Sequence, residues 1–138
     1  MEKVGEHITL DIVGTKKEYT PEFYEKLVYK IAKAAKVTVL KISKYKFEPQ
    51  GFTLVALLAE SHISFHTFPE KEIVSFDFFT CGKVSPKVSL DIIKEEMEHT
   101  NIIIKEFNKY LFFVTNEIFY FFQTKNYYNN LLRINIEK

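Results

Sequence analysis

The stretch that decides the fold runs from Phe52 to Gly82 and reads FTLVALLAESHISFHTFPEKEIVSFDFFTCG. Residues 52–59 are apolar on both faces of an extended chain, which is typical of a fully buried central strand. Residues 62–68 and 73–81 read as two further strands, and the short connection Pro69-Glu70-Lys71-Glu72 joins them. A connection of that length predicts an antiparallel hairpin. Between the central strand and this hairpin stands the polar pair Glu60-Ser61.

Further strands are predicted on both sides of this stretch. Ile8, Leu10 and Ile12 alternate within residues 5–13, a period of two that indicates a first strand. Residues 37–47 form a second strand, which ends at the turn sequence Glu48-Pro49-Gln50-Gly51. Three more strands are predicted over residues 101–107, 110–115 and 117–124.

Two segments carry the signals of helices. Thr20 can act as an N-cap and Pro21 suits the first helical position, and Ser85-Pro86 repeats this signal. The apolar face of the first helix is Phe23, Leu27, Ile31 and Ala35, and that of the second is Leu90, Ile93 and Met97.

The predicted order β-α-β-β-β-β-α-β-β-β favours one fold class. It is α+β, a two-layer sandwich in which a mainly antiparallel sheet carries two helices on one face. We expect residues 1–138 to form a single domain. Two helices leave the other sheet face uncovered, and 16% of the chain is aromatic. Packing two such faces together in a dimer would give an α/β/β/α four-layer arrangement.

Composition excludes several classes of protein. The chain has 138 residues and a formal net charge of +1, so no nucleic-acid-binding surface is expected. The single cysteine, Cys81, allows no internal disulfide and favours a reducing, cytoplasmic location. The N-terminus lacks a signal-peptide pattern, and no apolar run reaches the ~18 residues of a membrane span. We expect a soluble protein that is not bound to membranes.

Reactive side chains cluster between residues 53 and 81. A serine-hydrolase site would need glycines around the serine, and Ala59-Glu60-Ser61-His62 has none. Zinc bound by His62, His66 and Cys81 is disfavoured, because two histidines four residues apart on a strand lie about 13 Å apart. No metal site is therefore predicted. The simple interpretation of each residue is structural: a hydrogen-bonded histidine or a buried cysteine.

Together, however, these residues resemble a known family. Glu60-Ser61-His62, His66, Pro69-Glu70 and Phe79-Thr80-Cys81-Gly82 match the motif of the short prokaryotic S-adenosylmethionine decarboxylases, which are pyruvoyl enzymes. The spacing matches too, since His66 follows Ser61 by five residues and Cys81 follows it by twenty. The resemblance continues to Phe47-x-Pro49-x-Gly51 and Gly5-x-His7, and it covers roughly residues 4–107.

The resemblance implies a self-processing enzyme. Ser61 attacks the carbonyl of Glu60 in an N-to-O acyl shift, and elimination with His66 as the base cuts the chain. Residues 1–60 become the β chain, and residues 61–138 become the α chain with a pyruvoyl group formed from Ser61. This cofactor forms a Schiff base with S-adenosylmethionine, Cys81 donates the proton after decarboxylation, and the product supplies aminopropyl groups for spermidine biosynthesis. Thr53 stands where the family usually has a serine that assists processing.

The resemblance also implies a substrate site. Phe47 and Phe68 match aromatic positions suited to stacking on adenine or a sulfonium cation, and Glu70 matches the acid that holds the ribose hydroxyls. His7 and Asp11 lie in a matching first strand, with no role assigned. Relatives with the same machinery decarboxylate ornithine or arginine, so a basic amino acid is an alternative substrate. A third hypothesis is an unprocessed, non-catalytic homologue.

Strand parity adds a constraint. Ser61 and His66 have opposite parity and would face opposite sides of one regular strand. Either the backbone is irregular at Ser61, or His66 acts on Ser61 of another protomer, as in the family's homodimers of processed protomers. Residues 108–138 do not resemble the family's ending; their aromatic residues fit extra strands, a dimer contact, a lid or ordinary core. Residues 125–130 are polar and predicted to be loosely ordered.

Overall fold

An antiparallel sheet forms the frame of the molecule. The computed structural model describes residues 2–114, 117–124 and 130–133, and side chains are described up to residue 110. Along the chain the elements are β1 (Glu2–Val13), α1 (Pro21–Ala35), β2 (Val39–Lys46), β3 (Phe52–Leu58), β4 (Ser61–Phe68), β5 (Ile73–Thr80), α2 (Val88–Glu96), β6 (Asn101–Val114), β7 (Glu117–Thr124) and β8 (Asn130–Arg133). The sheet order is β2-β3-β4-β5-β1-β6-β7-β8, and all neighbouring pairs are antiparallel. Neither α1 nor α2 is long and apolar enough to span a membrane.

Helix α1 begins and ends as its sequence predicts. The Thr20 hydroxyl accepts a hydrogen bond from the Phe23 N–H at 3.2 Å, and Pro21 occupies the first turn. The helix ends at Ala35 because Lys36 adopts a left-handed conformation with φ 54°. Its buried face is wider than the predicted stripe and consists of Tyr24, Leu27, Val28, Ile31, Ala32 and Ala35.

Helix α2 begins later than predicted. The cap predicted at Ser85-Pro86 is wrong, because the helix starts at Val88 and Lys87 at its N-cap makes no side-chain bond. The Ser85 hydroxyl donates to the carboxylate of Glu6 on β1 and accepts only a long hydrogen bond, at 3.5 Å, from the Lys87 N–H. Two of the predicted core residues, Ile93 and Met97, are buried.

Both helices pack on one face of the sheet, which confirms the predicted α+β fold class. The core side chains alternate along β3, β4 and β5, for example Leu54, Phe65 and Phe76, and all three are fully buried. Their neighbours point to the opposite face, which no described element of the chain covers. We call it the open face; it carries His7, Asp11, Thr53, Val55, Leu57, His62, His66 and Asp77.

Several predicted boundaries differ from the structure. The strands predicted over residues 101–107 and 110–115 are one strand, β6, because the polar pair Asn108-Lys109 is aligned with Glu6 and Gly5 of β1. Strand β8 was not predicted. The loosely ordered segment predicted over residues 125–130 lies outside the described residues except for Asn130, which begins β8. The aromatic side chains predicted as core, lid or dimer contact beyond residue 110 also lie outside the described side chains.

Burial under the helices predicts where a substitution in the sheet lowers the free energy of unfolding. Leu54→Ala removes a fully buried side chain, so the free energy of unfolding should fall by about 2–5 kcal/mol. Leu40→Ala removes the same atoms from a side chain that is 60% exposed, and it should cost less than about 0.5 kcal/mol. Urea denaturation of both variants provides the comparison. Equal losses would contradict this assignment of the core.

Candidate active site

Ser61 stands at a strained point of the backbone. Ala59 and Glu60 form the two-residue turn between β3 and β4, and Leu58 pairs directly with Ser61 across it. Ser61 has a backbone φ of 134°, a value that residues other than glycine rarely adopt. The irregular backbone expected from strand parity is therefore present at this residue. Strain of this kind costs about 1–3 kcal/mol and persists only where the surrounding structure imposes it.

The carbonyl group that precedes Ser61 is held by a backbone donor. The N–H of Cys81 donates to the Glu60 carbonyl oxygen at 3.0 Å. This donor is in place because β4 and β5 pair, with Ser61 opposite Thr80, so the next residue of β5 lies beside the turn. Cys81 itself is an exposed free cysteine. Sequence reasoning predicted a role for its thiol and missed its N–H group.

The turn is also tied to the start of β2. The Ala59 N–H donates to the Thr38 carbonyl oxygen at 2.9 Å, and the Thr38 N–H donates to the Glu60 carboxylate at 2.8 Å. Thr38 was not singled out from the sequence. Thr38 contacts the turn mainly through its backbone N–H and carbonyl groups, which every residue type except proline has, so its identity gives no signal in the sequence.

His66 and Thr53 form a second group at the other end of β4. The two residues are directly opposite each other on β3 and β4, and the Thr53 Oγ1 and His66 Nδ1 atoms lie 2.9 Å apart. Thr53 therefore supplies the hydroxyl group that contacts the His66 ring.

A cavity of about 360 Å³ surrounds this second group. The predicted substrate residues Phe47, Phe68 and Glu70 all line it, together with Gln50, Gly51, Thr53, His66 and Thr67. Phe47 and Phe68 are 47% and 38% exposed, so neither ring is taken up by core packing. Gln50 lies 3.4 Å from the Glu70 carboxylate, within hydrogen-bond range.

The structure therefore divides the predicted site residues between two places. Glu60, Ser61 and Cys81 lie at the turn, whereas His66 lies five residues along β4, which corresponds to about 17 Å at 3.3 Å per residue. An irregularity at one residue cannot close a gap of that length. Within one chain, His66 is too far from Ser61 to act as its base.

A third group on the open face was only partly anticipated. His7 and His62 both contact the carboxylate of Asp77, His62 at 2.7 Å. Burial opposes ionisation of Asp77, but the hydrogen bond from His7 and the charge on both histidines outweigh it, so the pKa of Asp77 is lowered. The ligand atoms of all three residues lie within 4.8 Å of one another, a spacing that could accept a metal ion.

The trio rejected as a zinc site from the sequence is not assembled. His62 contacts Asp77, whereas His66 contacts Thr53. Asp11, which had no assigned role, accepts a hydrogen bond from Ser75 at 2.8 Å. No sequence signal grouped His7, His62 and Asp77; the adjacency of β1, β5 and β4 in the sheet brings them into contact.

Comparisons with known proteins point to one family. A family model described as S-adenosylmethionine decarboxylase matches residues 6–110. The S-adenosylmethionine decarboxylase proenzyme of Brevibacillus brevis is 33% identical over 73% of this chain and 81% of the relative. That of Methanococcus vannielii is 42% identical over 60% of this chain and 70% of the relative.

A solved structure has the same fold. The adenosylmethionine decarboxylase of Aquifex aeolicus superposes with a TM-score of 0.68 at 33% identity, covering 77% of this chain and 90% of that chain. The family match begins within β1 and ends within β6, so it contains the turn at Ser61, the cavity and both helices. On these findings, the chain belongs to the S-adenosylmethionine decarboxylase family.

Proposed function

We propose that this chain cuts itself between Glu60 and Ser61 and in that form decarboxylates S-adenosylmethionine, using a pyruvoyl group derived from Ser61. The product is the aminopropyl donor of spermidine biosynthesis. Residues 1–60 and 61–138 are then the β and α chains of a single domain. One observation carries the proposal beyond family membership: Ser61 is strained at φ 134° while the Glu60 carbonyl accepts a hydrogen bond from the Cys81 N–H.

The first step of processing uses these two features. The Ser61 hydroxyl oxygen bonds to the Glu60 carbonyl carbon, the peptide C–N bond breaks, and the hydroxyl proton ends on the Ser61 nitrogen. The N–H of Cys81 stabilises the negative charge that develops on the carbonyl oxygen, as an oxyanion-hole donor does. Breaking the peptide bond releases the strain at Ser61.

The second step is an elimination from the resulting ester. A base removes the α-proton of Ser61, the bond between its Cβ and Oγ breaks, and Glu60 leaves as a carboxylate. Water then hydrolyses the remaining dehydroalanine and releases ammonia, which leaves the pyruvoyl group at the new N-terminus. We assign the base to His66, and its contact with Thr53 at 2.9 Å orients the imidazole ring.

The residues present fit a pyruvoyl group at position 61. When formed, that group supplies a ketone that condenses with the substrate amine and accepts the electrons released by decarboxylation. Cys81 is the proton donor in this proposal, and its exposed thiol follows directly after the strand position paired with Ser61. A free thiol also accords with a reducing, cytoplasmic location.

The cavity at the far end of β4 suits the adenosyl part of the substrate. Phe47 and Phe68 offer exposed ring faces for the adenine and the sulfonium cation, and Glu70 offers acceptors for the ribose hydroxyls. The Lys71 ammonium lies 5.6 Å from the ring centre of Phe68, within the range of a cation–π contact, which supports a cation-binding role for this ring. Ornithine and arginine have no adenine ring to stack, so a pocket built for them would need a carboxylate for the distal cation but no adenine-stacking position.

A homodimer of processed protomers brings the two groups together. His66 lies too far along β4 to reach Ser61 of its own chain, and both groups lie on or beside the open face. Leu57 and Val55 on that face are 53% and 40% exposed, and a second copy would bury them. A two-fold axis between paired open faces would bring His66 and the cavity of one chain to the Ser61 turn of the other.

Mass spectrometry of purified protein tests the cleavage. The wild-type chain should give two fragments, one ending at Glu60 and one starting at position 61 with a pyruvoyl group. Ser61→Ala should remain one intact chain, because alanine has no hydroxyl to attack the carbonyl. Ser43→Ala, on exposed β2, is the matched control and should cleave normally. An intact wild-type chain would contradict the proposal.

Co-expression tests whether the site is shared between chains. The Ser61→Ala and His66→Ala chains should each remain intact when expressed alone. Expressed together, the Ser61→Ala chain supplies His66, so the His66→Ala chain should be cut. A partner carrying both substitutions should not restore cleavage. Failure of the first pair to complement, in dimers confirmed by light scattering, would indicate a site within one chain.

Steady-state kinetics test the substrate assignment. Phe68→Ala removes a stacking ring and should raise KM for S-adenosylmethionine about three- to tenfold, which corresponds to about 0.6–1.4 kcal/mol. Tyr29→Ala, an exposed aromatic residue on α1, should leave KM unchanged. Carbon dioxide release is measured with S-adenosylmethionine, ornithine and arginine in parallel. Activity on a basic amino acid alone would overturn the adenosyl assignment of the cavity.

A further inference from the structure

The turn that precedes Ser61 is hydrogen-bonded to Thr38, just before β2, and to Cys81, just after β5. We propose that the Glu60 side chain is a positioning residue for self-cleavage: by accepting from the Thr38 N–H it holds the turn in the geometry that the acyl shift requires. This inference rests on the proposed function. Glu60 then has two roles in cleavage: its carbonyl carbon is attacked, and its side chain positions the turn.

Two hydrogen bonds connect this turn with Thr38. One joins the Ala59 N–H to the Thr38 carbonyl oxygen at 2.9 Å, and the other joins the Thr38 N–H to Glu60 Oε2 at 2.8 Å. The Thr38 hydroxyl lies 3.5 Å from Glu60 Oε1 and adds little. We call this pair of bonds the Thr38 clamp. Within the described part of the chain, Glu60 is the turn residue whose side chain hydrogen-bonds a residue outside β3 and β4.

The clamp is anchored in a rigid part of the fold. Thr38 follows Val37, which is 9% exposed and whose N–H donates to the Ala32 carbonyl oxygen at the end of α1. The left-handed conformation of Lys36 fixes the direction in which the chain leaves the helix. Thr38 is therefore held by the helix end on one side and by the start of β2 on the other.

The acyl shift needs a turn that is held. Ser61 keeps its φ of 134° only while neighbouring contacts prevent the turn from relaxing. The Cys81 N–H fixes the carbonyl oxygen of Glu60, and the Thr38 clamp fixes its side chain. With both contacts in place, rotation of the peptide unit away from the Ser61 hydroxyl is restricted, and the reacting atoms stay aligned.

The clamp also has a task once the chain is cut. Glu60 then becomes the carboxyl end of the first fragment and carries two negative charges. Its side chain retains the Thr38 N–H as a donor, and its backbone carboxylate retains the Cys81 N–H. These bonds keep the new chain end in place while the second fragment completes its chemistry.

The test is the rate of self-cleavage in Glu60 variants, followed by electrophoresis after synthesis. Glu60→Ala should cleave about tenfold more slowly, the loss expected for one hydrogen bond to a charged group. Glu60→Gln keeps an acceptor oxygen and should recover most of the rate. Glu25→Ala, which removes an exposed carboxylate paired with Lys44, is the matched control and should cleave at the wild-type rate.

Hydroxylamine separates an effect on the acyl shift from an effect on elimination. It cleaves the ester but not the amide, so less ester should be trapped in Glu60→Ala than in wild type. If circular dichroism shows that Glu60→Ala is unfolded, Glu60→Met takes its place. Methionine keeps the methylene groups but has no strong acceptor, so this variant should also cleave more slowly and give less trapped ester. Cleavage of Glu60→Ala at the wild-type rate overturns the clamp alone. An intact wild-type chain without trapped ester overturns the clamp together with the proposed function.

Discussion

Alternation along β4 sends Ile63 and Phe65 under the helices and leaves His62 and His66 on the open face. Because α1 and α2 can cover only one side of the sheet, every polar group of the site has to lie on the other side or at a strand end. The turn at Ser61 is such an end. Because the backbone is irregular there, Ser61 does not follow the inward–outward alternation of the other β4 side chains. Position on β4 thus decides which residues pack in the core and which are available for the proposed chemistry.

Under the proposed processing mechanism, the length of β4 makes a second chain necessary. Ser61 and His66 are at opposite ends of the same short strand, so no rotation of either side chain brings them together. A site made from both ends needs two copies of the strand running past each other, and the proposed homodimer with paired open faces would supply them. The same arrangement would also bury the exposed apolar side chains of Val55 and Leu57, which face water in the single chain.

Sequence alone predicted most of the fold because its signals are local. Alternation in β1 and the cap at Thr20 act over a few residues, and both are confirmed. The prediction at Ser85 failed because the helix begins only at Val88, and the bond from the Ser85 hydroxyl to Glu6, 79 positions away, is one that no local signal reveals. The motif residues at the site could be found by type and spacing. Thr38 could not, because it acts through backbone groups.

Topology also limits what the unmatched end of the chain can do within one protomer. The family match ends at residue 110, whereas the sheet continues through β7 and β8. In the sheet order these strands follow β6, and β5, β1 and β6 separate β7 from β4. At about 4.8 Å per strand, β7 lies about 19 Å from β4. The cavity and the Ser61 turn belong to the half of the sheet formed by β2, β3, β4 and β5. The additional strands therefore extend the far edge of the sheet and replace no element of the site within the same chain.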